Sequence, residues 1–126
     1  MKRLAKGGAM IRAVVWNEFV HERENSAVRS IYPEGIHAVI AAALDADAGI
    51  DASTATLDQP ENGLPADSLR ETDVLLWWGH KARGRVDEAT VDRVVARVHK
   101  GMGLIVLHSG HFSKPFIRLM LSLIHI

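Results

Sequence analysis

The sequence predicts an α/β domain, an open parallel sheet with helices on both faces. Two observations carry this. Short β-branched runs alternate along the chain with segments whose apolar residues recur three to four positions apart, and such alternation builds a parallel sheet through right-handed crossovers. The clearest of the runs, Asp73 to Trp78, is apolar almost throughout and stops abruptly at Gly79-His80, as a strand covered on both faces does. Too few units are present to close a barrel.

Ile11 to Trp16 is β-branched and aromatic, the length of a buried strand, and ends at Asn17-Glu18. After a polar stretch, Pro33-Glu34-Gly35 introduces Ile36, Ile40 and Leu44, one apolar stripe on a helix, with Pro33 suited to its start. Ile50 to Leu57, rich in Thr and Ala, predicts a second strand, and Asp58 to Pro65 has the prolines and glycine of a turn. The third strand is Asp73 to Trp78. Asp87 can cap the next helix, whose stripe is Val91, Val94, Val95 and Val98, and Gly101 supplies a left-handed stop. Gly103 to Leu107 predicts the fourth strand, and the turn His108 to Ser113 leads into a helix from about Lys114, with Pro115 in its first turn.

The 126 residues suffice for one core, and 48% apolar with 24% charged residues is an ordinary globular balance, so one domain is expected. Lys plus Arg equals Asp plus Glu at 15 each, so no net field favours nucleic acid or an anionic membrane. With no cysteine, disulfides, thiolate nucleophiles and thiolate metal sites are excluded, leaving His, Asp and Glu as strong ligands. The basic stretch Met1 to Met10 is not followed by the apolar core of a signal peptide. No apolar run reaches the roughly 18 to 20 residues that span a bilayer, and a cytoplasmic location is expected. Residues 1–9 read as a non-native or flexible extension before Met10, and residues 10–120 as the domain. Leu121 to Ile126 matches one reading frame of a transposase adapter, so residues 121–126, with His125, are expected to be an artefactual tail.

Side chains just beyond the carboxyl ends of parallel strands share a crevice, and ligands bind there. Asn17, Glu18, His21 and Glu22 follow the first strand, Gly79, His80 and Lys81 the third, and His108, Ser109 and His111 the fourth. His37 and His99 fall within helices as exposed or partly packed side chains and receive no role. A divalent metal, zinc being the commonest, takes three or four nitrogen or oxygen ligands. His21, His80, His108 and His111, with Glu18 or Glu22, offer such a set; the alternative is that they hydrogen-bond substrate, water and each other. No nucleotide cofactor is implied.

The turn Leu107-His108-Ser109-Gly110 resembles a nucleophile elbow, with free amides near Ser113 favouring an oxyanion; a tight turn with Ser113 as N-cap explains the same residues. Glu18, His108 and Ser109 are the candidate catalytic groups, and Asn17, Trp78, Gly79, Lys81 and Gly110 the candidate substrate contacts. Alternate strand residues face opposite sides, so at most one of Trp77 and Trp78 lines the crevice, and Trp77 reads as core. Lys81, Arg83 and Arg85 either clamp an anionic substrate or form a solvated loop, and Arg29 is a similar case.

Four blocks, Val15 to Glu22, Ile31 to His37, Trp77 to His80 and Gly103 to Phe116, together resemble the ThuA-like trehalose utilisation proteins in order and spacing over residues 10–120. The resemblance implies a flavodoxin-like domain of the class I glutamine amidotransferase-like superfamily, truncated to about half its length, and a role in catabolism of trehalose or related disaccharides. Amidotransferase members of that superfamily carry a catalytic cysteine where this chain has His108, so amidotransferase activity is not expected. The reading is a carbohydrate-active enzyme with a small-molecule sugar substrate and a His-rich site; homo-oligomerisation stays open. The alternative is a non-catalytic sugar- or metal-binding regulatory module.

Overall fold

The computed structural model describes residues 10–124. The extension expected at residues 1–9 and the last two positions of the expected tail lie outside the described residues. Four strands, β1 (Ile11–Asn17), β2 (Ile50–Thr56), β3 (Val74–Trp78) and β4 (Gly103–Val106), form one sheet in the order β2-β1-β3-β4, and every pairing is parallel. Between β1 and β2 run α1 (His21–Glu24), α2 (Ser26–Ile31) and α3 (Ile36–Asp45); α4 (Ala66–Arg70) precedes β3, α5 (Glu88–His99) precedes β4, and α6 (Lys114–Ile124) follows it. This is the flavodoxin-like order, in which the sheet grows outward in both directions from β1 and β3. The crevice at such a switch point opens beyond their carboxyl ends.

Strand alternation sorts the core into two layers. Val14, Trp16, Leu75 and Trp77 pack with Val91, Val94 and Val95 of α5, while Ala13, Val15 and Leu76 meet Ala41 of α3, flanked by Ile40 and Leu44. Trp16 and Trp77 are register partners. Their rings stack at 3.9 Å between centroids, and Trp16 Nε1 donates to the Asn62 carbonyl at 2.8 Å. Trp77 is thus a core residue, and Trp78 points to the opposite, α3 side. Truncating either buried indole to alanine should cost about 3–5 kcal/mol.

The main elements follow the sequence pattern, with physical reasons for the departures. α3 starts after Gly35, whose φ of +93° suits glycine, and Pro33 lies in the preceding turn instead of at the helix start. The polar stretch after β1 forms two short helices, the second capped by Asn25 Oδ1, which accepts from Ala27 N at 3.0 Å and Val28 N at 3.2 Å. Asp87 occupies the N-cap of α5 without a side-chain capping bond. Gly101, at φ +115°, follows the end of that helix. Among the described residues β4 pairs only with β3, and Ile105 on it is 49% exposed. The helix expected from Lys114 runs on to Ile124, through part of the segment read as a tail. No helix of the described residues is long and apolar enough to cross a membrane.

Candidate functional site

At the carboxyl end of β1, three polar side chains are buried together. Asn17 Oδ1 accepts from Phe19 N at 2.9 Å, and its Nδ2 donates to Glu22 Oε2 at 2.7 Å and lies 3.0 Å from His37 Nδ1. An amide NH2 only donates, so His37 Nδ1 accepts, and the neutral ring carries its proton on Nε2. Burial pushes the His37 pKa down, and Arg23 adds to that while Glu22 and Asp58 oppose it. Glu22 Oε2 also accepts from Ile36 N at 2.9 Å, at the positive end of the α3 dipole. Among the described residues Glu22 Oε1, which is buried, has no hydrogen-bond partner.

Glu18 has a different task. Only 2% exposed, it accepts with Oε1 from Lys81 N and with Oε2 from Ala82 N, the latter at 2.8 Å. Its own amide donates to the Trp78 carbonyl at 3.3 Å. The carboxylate therefore ties the loop after β3 to the end of β1.

That loop presents His80. Its ring stacks on His21 with centroids 5.6 Å apart, and its Nδ1 lies 3.1 Å from Ser109 Oγ. Ser109 Oγ is in turn 3.2 Å from the Gly79 carbonyl. A carbonyl only accepts, so the single hydroxyl proton goes to Gly79 O, and Ser109 Oγ accepts from His80 Nδ1–H. In the neutral ring this leaves the lone pair on Nε2.

His108 occupies the elbow with φ +47°, a left-handed backbone that strains a non-glycine residue. It is exposed, and its carbonyl lies 3.1 Å from His111 Nδ1. His111 is exposed too, packed on Phe112 at 4.0 Å. Gly110 is set by close packing, since a Cβ there would lie 2.7 Å from Val106 Cγ1 and 3.0 Å from the Trp77 carbonyl. Ser113 N donates to the Gly110 carbonyl at 2.8 Å, so this amide is not directed at an oxyanion. Ser113 Oγ is buried and, among the described residues, has no hydrogen-bond partner and makes no N-cap bond.

On the α3 side of the sheet a cavity of about 210 Å³ is lined by His21, Glu22, Val28, Tyr32, Ile36 and Trp78. The Trp78 ring lies 6.1 Å from that of His80. The basic residues after β3 diverge: Lys81 Nζ reaches Glu24 at 3.4 Å, Arg83 stacks over Phe112 at 5.0 Å, and Arg85 lines a separate cleft with Glu18, Arg23 and Asp58. Arg29 is exposed on α2.

Of the residues predicted from sequence, the structure brings His21, His80, Ser109, Gly79 and Trp78 together. It sets Asn17 and Glu18 beneath them as buried braces, and leaves His108 and His111 on the neighbouring turn. Among the described residues no three His, Asp or Glu side chains converge as a metal-binding group. Sequence reasoning missed His37. In a parallel α/β unit the amino end of each helix returns to the carboxyl edge of the sheet, so a histidine in the first turn of α3 belongs beside Asn17.

A comparison with curated proteins returned no match. The family model for trehalose utilisation matches residues 12–121, spanning all four strands and the whole crevice, and its glutamine amidotransferase-like fold agrees with the sheet order observed. The chain belongs to the ThuA, or trehalose utilisation, family.

Proposed function

We propose that this chain is a cytoplasmic sugar-catabolism enzyme acting on a disaccharide such as trehalose, or on a keto derivative of one, with His80 as its general acid or base. The observation that carries the reading is the chain of contacts from Gly79 O through Ser109 Oγ to His80 Nδ1. It fixes the ring orientation and leaves Nε2 as the proton-accepting atom, beside a second imidazole, His21. Imidazole exchanges protons near neutral pH. Glu18 braces the loop that carries His80, and Asn17 braces the segment that carries His21. Ser109, whose proton is committed to Gly79 O, positions His80 and does not act as a nucleophile. With no cysteine in the chain, the thiolate chemistry of amidotransferases is not part of the proposal.

Assay on trehalose and on 3-keto-disaccharides tests this. Turnover is expected, falling about 10²- to 10⁴-fold in His80→Ala. Tight binding of the same sugars without turnover would instead favour a non-catalytic binding module. A second reading, in which His21 and His80 hold a divalent ion such as zinc, is favoured by their proximity. It needs a third ligand, which His108 or His111 would have to bring. Stoichiometric zinc in the purified protein, lost in His21→Ala and His80→Ala, would support it.

A further inference from the structure

We infer that Asn17 and His37 form a proton-operated latch beneath the site: a proton taken up by His37 breaks their bond and frees the Phe19 turn, which leads into His21. His37 is thus a positioning residue for His21, and its effect on turnover rests on the enzyme reading above. Asn17 is fully buried and His37 is 7% exposed. The orientation of the Asn17 amide is fixed, because Phe19 N can only donate and takes Oδ1 as its acceptor at 2.9 Å. Both Nδ2 hydrogens therefore face acceptors, Glu22 Oε2 at 2.7 Å and His37 Nδ1 at 3.0 Å. An imidazolium carries a hydrogen on each ring nitrogen, so charging His37 sets one donor against another in a buried place. Turning the amide over gives no relief. It would bring Oδ1 against the Glu22 carboxylate and a donor against Phe19 N.

The residue poised to move is Phe19. Its φ of +57° is left-handed, a backbone that a bulky side chain keeps only while its surroundings hold it there. Those surroundings are the latch itself: Asn17 Oδ1 holds the Phe19 amide, and the Phe19 ring meets the His37 ring edge-on with centroids 4.9 Å apart. Two residues on, the His21 ring stacks on His80. The charged groups that face His37 are Glu22 and Arg23 of α1 and Asp58 after β2. Arg23 and Asp58 pair with each other at 2.8 Å. Glu22 is left to receive an imidazolium that has parted from Asn17, and among the described residues its Oε1 has no partner. Burial keeps the closed His37 neutral above its ordinary 6.5. The latch is therefore closed at neutral pH, and proton uptake shifts the population toward the open form in acid.

The test is NMR from about pH 8 to about pH 5 on the wild-type chain and on His37→Asn, whose amide oxygen can replace Nδ1 as acceptor but takes up no proton. In the wild type the Phe19 backbone amide and the Asn17 side-chain amide should shift with the midpoint of the His37 ring, below 6.5. The cross-relaxation between the His21 and His80 rings should fade at the same midpoint. In His37→Asn that inflection should be absent, and the acid limb of kcat should move to lower pH. A His37 ring that stays neutral until the chain unfolds overturns the latch, as does one that titrates without moving the Phe19 and Asn17 signals. If His37→Asn does not fold, these wild-type results decide. Inflections that persist in folded His37→Asn also overturn it. Disaccharide turnover with the same acid limb in both proteins would remove the positioning role and leave the enzyme reading intact. The expected inflections in a chain that turns over no disaccharide would keep the latch and remove the enzyme reading.

Discussion

Replacing Glu18 by Gln should destabilise the fold before it affects any chemistry. The two carboxylate oxygens accept from two successive backbone amides, Lys81 N and Ala82 N, in a residue that is 2% exposed. Glutamine keeps one acceptor and turns an NH2 toward the other amide, leaving a donor facing a donor in a buried place. Losing a charge-assisted bond and stranding a buried amide should together cost about 3 kcal/mol. For a domain of this size that corresponds to a Tm lowered by roughly 10 °C. Thermal unfolding followed by far-UV circular dichroism, with urea titration for the free energy, measures it; Glu18→Ala should cost at least as much. A Glu18→Gln protein melting within about 2 °C of wild type, the shift of roughly half a kcal/mol, would show that the carboxylate does not hold the loop. If such a protein had also lost activity, Glu18 would be a chemical group and not a brace.

Gly110→Ala should destabilise by about 1–3 kcal/mol, because the new methyl meets Val106 and the Trp77 backbone at 2.7 and 3.0 Å; an unchanged urea midpoint would refute the close approach. His37 makes stability depend on pH. Its folded pKa lies below the ordinary 6.5, so below that pH the unfolded chain takes up a proton that the folded chain resists. The stabilisation is complete above 6.5 and is lost as pH falls through the lowered folded value. Urea unfolding of wild type and His37→Gln across this range should show a steeper acid-side loss in the wild type, and parallel curves would contradict the burial. Ser109→Ala removes one hydrogen bond to His80, which should lower kcat about tenfold at unchanged KM. Nitrogen NMR of His80 should shift from the Nδ1–H tautomer to a mixture, and an unaltered tautomer would argue against the relay.

Much of this arrangement was legible in the residues. The runs at Ile11 to Trp16 and Asp73 to Trp78 give strands because continuous apolar chains fit a sheet covered on both sides. Parallel topology then sends Asn17, Glu18, His80 and Ser109 to one edge without any tertiary information. What could not be read is which of these face the crevice and which lie under it. Glu18 read as a catalytic candidate and Asn17 as a substrate contact because they are polar and at a strand end, and their partners in the fold include amides and side chains distant in sequence, such as Ala82 and His37. The four histidines looked like one set because only their strand ends were known. The turn at His108 to Phe112 sets His108 and His111 on a short helical turn of their own, and no spacing rule reveals that. The segment from His21 to Ile31 became two helices through a cap at Asn25, a local signal too short to show as periodicity.

The division of the tryptophans has a practical consequence. Of the three in the chain, Trp16 and Trp77 lie face to face in the interior, close enough for their excited states to couple and mark the folded state by a split dichroism band. Trp78 stands apart on the other side of the sheet, at the wall of the cavity. One unlabelled sample thus carries two optical signals of separate origin, one reporting whether the molecule is intact and the other the state of the cavity wall.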